Sequence, residues 1–271
     1  MQKLPGRFYF HEQKRIYCSR VFGDKYWYAC VLVVWGLFVL GACVGDNRQN
    51  LTALEALDNS LYGMTGLLCL MTCSFSYAGS FSEDIENRYL IAECTRGNMK
   101  AFIRARVLLI FLSALSTMFT GIICYAIFTA LRNGGWYDQN SSAYLLLKEM
   151  GDWYTGILVK FPIVYFAIAG CLYGLLAGLL ALLSALFSLF IPNKLLIASV
   201  PFLSMYLLLN LSVVSDLWNG WLNVWNVFQP FYNVTGKDTG NFLYAVLFSV
   251  IAGYLLYCFI LWRTQWRMIH G

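Results

Sequence analysis

The residues of this chain that could do chemistry are few, and the densest group is Glu83-Asp84-Ile85-Glu86-Asn87-Arg88. Adjacent acids could activate a water for hydrolysis, given a further base near that water. The only histidines are His11 and His270, near the two ends of the chain, so that chemistry is incomplete. No G-x-S-x-G elbow is present. Gly236-Lys237 is followed by Asp238 and lacks the upstream glycine of a phosphate-binding loop. The reading is therefore of a chain with no catalytic site, no metal and no cofactor of its own. The acids of 83–88 need a different role, and the surrounding elements supply one.

Those elements are membrane spans. The 271 residues are 59% hydrophobic and only 12% charged, about half the charge of a soluble domain. Residues 26–45, 59–82, 107–131, 161–193, 195–215 and 239–262 contain no Asp, Glu, Lys or Arg. A helix needs about 20 apolar residues to cross the hydrocarbon, and all six runs reach that length. The expected fold is an all-α integral membrane protein, one domain over 1–271. Its six transmembrane helices are expected near 26–45, 61–81, 107–131, 161–191, 195–214 and 242–262. With the N-terminus inside, 14 basic residues fall on the inner side and 5 (Arg48, Arg132, Lys148, Lys160, Lys237) on the outer. This asymmetry puts both termini in the cytoplasm and explains the net charge of +5 without nucleic acid. Of nine cysteines, seven fall in spans and Cys18 and Cys94 on the inner side, so outer disulfides are not expected.

Several segments carry more detail. Residues 7–22 mix aromatic and basic side chains and read as an interfacial amphipathic helix. The loop 46–60 reads as short and mildly acidic. Loop 132–160 holds aromatics suited to the interface and a short helix around Ala143–Met150. The uncharged run 161–193 is too long for one straight span. It repeats Gly170, Gly174 and Gly178 at four-residue spacing, a ridge that lets a second helix approach closely, either within the subunit or at a subunit interface. Pro192-Asn193 turns the chain and Lys194 anchors it inside, while Pro201 is expected to kink the fifth span. Trp218, Trp221 and Trp225 share one helical face and predict a helix in or dipping into the outer interface.

The stretch Ser80–Arg106 is the long charged interruption on the inner side, with four acidic and five basic residues. Ser80-Phe81-Ser82-Glu83 has capping-box spacing, and Glu83, Asp84 and Glu86 suit the first turn of a helix. Ile85, Tyr89 and Ala92 share a face. Arg96-Gly97-Asn98 reads as a stop, and Met99 restarts a helix into span three. Topology rules explain the bases but neither the acids nor the cap, so 82–98 reads as a docking helix at the cytoplasmic surface.

Phe75 to Asp84, Thr95-Arg96-Gly97, Lys100-Ala101-Phe102 with Arg106, and Ser188 to Lys194 resemble small bacterial permeases of the ABC-2 type. The resemblance covers nearly the whole chain in layout and two short motifs in sequence. It implies a permease subunit of an ABC exporter in the bacterial plasma membrane. Two copies of an ABC ATP-binding subunit would carry ATP and Mg, and a second permease subunit, identical or homologous, would complete the assembly. Glu83, Asp84, Ile85, Arg88, Tyr89 and Arg96 would couple to the ATPase. Cargo would be an amphipathic peptide or another hydrophobic or amphiphilic compound, since no span holds a charge in its middle. A non-transporting scaffold or sensor with the same fold, and an ion-coupled carrier, are the competing readings.

Overall fold

The computed structural model describes residues 22–23, 25–44, 51–62, 64–75, 99–133, 135–191, 193–214, 223–230 and 238–270. All regular structure among them is α-helical. The helices are α1 (Lys25–Val44), α2 (Ala53–Tyr62), α3 (Met64–Phe75), α4 (Met99–Asn133), α5 (Ser142–Met150), α6 (Asp152–Lys160), α7 (Pro162–Ser188), α8 (Lys194–Val214), the single turn α9 (Val224–Val227) and α10 (Asp238–His270). The interfacial helix expected over 7–22, apart from Phe22, and the docking helix over 82–98 lie outside the described residues.

Among the described residues four helices, α1, α4, α7 and α10, are long and apolar enough to cross a membrane, and α3 and α8 contribute shorter apolar stretches. In oil a helix closes its own backbone hydrogen bonds, so an apolar run of this length forms a helix regardless of propensity. Charge-free runs nevertheless mark the hydrocarbon rather than the helix. α4 has 35 residues and α10 has 33, about 50 Å each, against a core of about 30 Å. Both therefore continue past their apolar runs into charged sequence.

The centre of the bundle is the contact between α4 and α7, with α1, α3, α8 and α10 arranged around it. α1 runs alongside α4 in the same direction: Gly121 faces Val34, and Phe38 stacks on Tyr125 at 5.4 Å. α7 runs the opposite way. One end of the bundle is basic. There Arg267 Nη1 donates to the Leu189 carbonyl at 3.1 Å, and the Arg263 guanidinium lies 4.3 Å from the Phe190 ring and 4.4 Å from Trp266.

The other end is covered by short helices. The segment 46–60 is more than a loop, since α2 begins within it. Thr52 N–H and Oγ1 both donate to Glu55 Oε2 at 3.2 and 3.1 Å, a cap that holds the first turn. Ala53 and Leu54 N–H donate to the carbonyls of Gly135 and Trp136, which ties α2 to the segment that follows α4. α5 starts on Ser141, whose Oγ accepts from Tyr144 N–H at 3.2 Å. α6 follows it directly, where one helix was expected. An aromatic chain knits this cap together: Trp136–Phe166, Phe166–Tyr165, Tyr165–Tyr154, Tyr154–Trp153 and Trp153–Phe242 all have centroids within 6.4 Å.

Candidate functional site

The glycine ridge of α7 lies inside this chain, against α4. A Cβ on Gly170 would meet Phe119 at 3.3 Å, one on Gly174 the Leu115 carbonyl oxygen at 3.0 Å, and one on Gly178 the Phe111 ring at 2.6 Å. The partners step back by four as the glycines step forward by four, so the two antiparallel helices mesh along three successive turns. Gly174 matters most, because its neighbour is backbone and cannot rotate away.

The far side of this contact opens a groove of about 290 Å³ between α4, α7 and α10. Arg104, Val107, Leu108 and Phe111 form one wall, Leu175 and Leu182 the floor, and Val246, Ser249, Val250, Gly253 and Tyr257 the other wall. Ser249 Oγ donates to the Ala245 carbonyl at 2.7 Å, so even the hydroxyl in the lining is turned into its own helix. Gly253 keeps the groove open, since a Cβ there would touch only Leu179, at 3.9 Å. Arg104 is exposed and sits at the basic end.

Polar groups are buried elsewhere. Asp58 on α2 lies within electrostatic reach of Tyr165, and burial pushes its carboxyl up to about 6. α9 does not lie over the helix ends. Trp225 meets Tyr173 at 6.4 Å and Phe228 meets Phe248 at 6.0 Å. Those partners are about 15 Å along α7 and α10 from their first residues. The segment is N-capped by Asn223, whose Oδ1 accepts from Trp225 and Asn226 N–H. It continues to Gln229, which is 1% exposed and whose amide nitrogen and oxygen have no hydrogen-bond partner among the described residues. Non-helical backbone at such depth is tolerated where protein encloses it or where it lines a wet cavity.

No family model, curated protein or solved structure matches this chain.

The site therefore rests on geometry. Gly170, Gly174 and Gly178 are brought together on one contact. Glu83, Asp84, Ile85, Arg88, Tyr89 and Arg96 lie outside the described residues, as do Trp218 and Trp221. Among the described residues no cluster of three His, Cys, Asp or Glu side chains could hold a metal ion, and Cys30, Cys69, Cys124, Cys171 and Cys258 are outside any disulfide. Sequence reasoning missed the groove, Asp58 and Gln229. Arg104 was legible only as a topology signal and Asp58 only as an acid in a loop. Gln229 carries no sequence signal at all.

Proposed function

We propose that this chain is the membrane-spanning permease subunit of an ATP-driven ABC exporter of the ABC-2 type, with six spans and both termini in the cytoplasm of a bacterial plasma membrane. It works with two copies of a separate ATP-binding subunit and with a second permease subunit, identical or homologous. ATP and Mg act in those partners, and this chain contributes no catalytic group. The cargo is an amphipathic peptide or another hydrophobic or amphiphilic compound.

The observation that carries the reading is the continuity of α4. The expected docking segment 82–98 leads directly into α4, which begins at Met99. The same unbroken helix then lines the groove through Arg104, Val107, Leu108 and Phe111 and meshes with the glycine ridge through Phe111, Leu115 and Phe119. A push passed from residues 82–98 to Met99 would travel along one helix to the most extensive helix contact among the described residues. ATP can drive such a movement only if the partner binds the two arrangements unequally.

The test is co-purification of the full chain in mild detergent from its native cells. The account expects an ATP-binding subunit to elute with it. If the chain elutes without an ATPase under every mild condition, the reading loses its basis.

A further inference from the structure

We propose that the groove between α4, α7 and α10 is a binding site for one anionic phospholipid of the surrounding bilayer, with an acyl chain in the groove and the headgroup phosphate at Arg104. This does not rest on coupling to an ATPase.

Four observations carry it. Between Arg104 and Tyr257 at its ends the wall is apolar, with no carboxylate among the described lining residues and Ser249 bonded to its own helix, so it suits a hydrocarbon chain. Its length suits one acyl chain. On α10 it runs from Val246 to Tyr257, about 16 Å at 1.5 Å per residue, comparable to half of a hydrocarbon core of about 30 Å. Its mouth is basic: Arg104 stands exposed there, at the end of the bundle that also carries Arg263 and Arg267. Basic pockets between spans on the cytoplasmic side take anionic headgroups. The groove also faces outward, since Val250, Ile251 and Tyr254 on its α10 side are each more than 60% exposed. A lipid can therefore enter sideways from the leaflet.

The experiment is native mass spectrometry of the purified full chain, incubated with phosphatidylglycerol or phosphatidylcholine of identical acyl chains. One phosphatidylglycerol per chain should be retained in preference to phosphatidylcholine. Arg104→Gln should lower that retention about fivefold, the effect of one basic side chain at an anionic surface, and leave phosphatidylcholine unchanged. Gly253→Leu should fill the groove and abolish retention of both. Val250→Trp, on the exposed wall, serves the same purpose should Gly253→Leu fail to fold, and Leu255→Ala, off the lining, should change nothing. Equal retention of the two lipids, or retention indifferent to Arg104→Gln, overturns the proposal. So does a dimer that Val250→Trp dissociates while lipid retention is unchanged, because the face would then be covered by a second copy.

Discussion

α7 and α10 are almost equally apolar, with mean hydropathy 2.3 and 2.2 over their best windows, yet 72% of the first window is buried and only 17% of the second. Hydropathy measures the preference for leaving water and says nothing about whether lipid or protein receives the side chain. Size does. α7 presents Gly170, Gly174, Gly178, Ala181 and Ala185 at four- and three-residue steps and so admits α4. Without a hydrophobic force between helices in lipid, such close contact is what holds them together. α10 instead presents Leu247, Val250, Ile251, Tyr254, Leu255 and Phe259, all more than half exposed. One helix is the bundle's core, and the other gives it an outer face.

Substitutions can break that contrast, starting with the largest expected effect. Gly174→Leu should remove most of the folded protein, at a cost of about 3 kcal/mol or more, because the Leu115 backbone cannot yield; the monodisperse peak in size-exclusion chromatography reports it. Normal yield and melting temperature would mean that α4 and α7 do not mesh there. Gln229→Leu tests the segment that touches both helices. Removing two unpartnered buried polar atoms should raise stability by about 1–2 kcal/mol, read as a higher melting temperature in detergent. A fall instead would show that the amide has a partner the protein needs.

Asp58 comes next. Its folded pKa of about 6 lies above the ordinary 3.8, so the folded state holds the proton more tightly than the unfolded chain. The cost of its charge is present in full above about pH 6 and fades as pH falls toward 4. Asp58→Asn should therefore stabilise the protein at pH 7.5 by on the order of 1–2 kcal/mol and flatten the melting profile between pH 7 and 4. A profile unchanged by the substitution would show that the carboxyl is well solvated. Gly253→Ala should cost less than about 0.5 kcal/mol, since its new Cβ reaches only Leu179 at 3.9 Å. A large loss there would erase the difference between α7 and α10.

The long apolar helices were legible because charge-free sequence of that length has few alternatives. Their ends were not, because Lys100, Arg104, Arg263 and Arg267 stop the hydrocarbon but not the helix. α2 was missed although Thr52-Ala53-Leu54-Glu55 spells its cap; the acidic composition of the loop hid the signal. The helix expected around Trp218, Trp221 and Trp225 has a single described turn, begun by the Asn223 side chain. The glycine ridge could be read from spacing, but its partner could not, since Phe111, Leu115 and Phe119 look like any apolar residues. The groove was illegible for the same reason: its walls come from positions about 70 to 150 residues apart and meet only in the fold.

In the proposed coupling an external ATPase drives this chain through residues 82–98 and α4. The most direct measurement is ATP hydrolysis and cargo release by the co-purified complex in lipid vesicles, with and without Glu83→Ala and Arg96→Ala together. The account predicts that the double variant still assembles and hydrolyses ATP, but that hydrolysis no longer responds to cargo and export stops. Hydrolysis and export that remain linked in the double variant would contradict it.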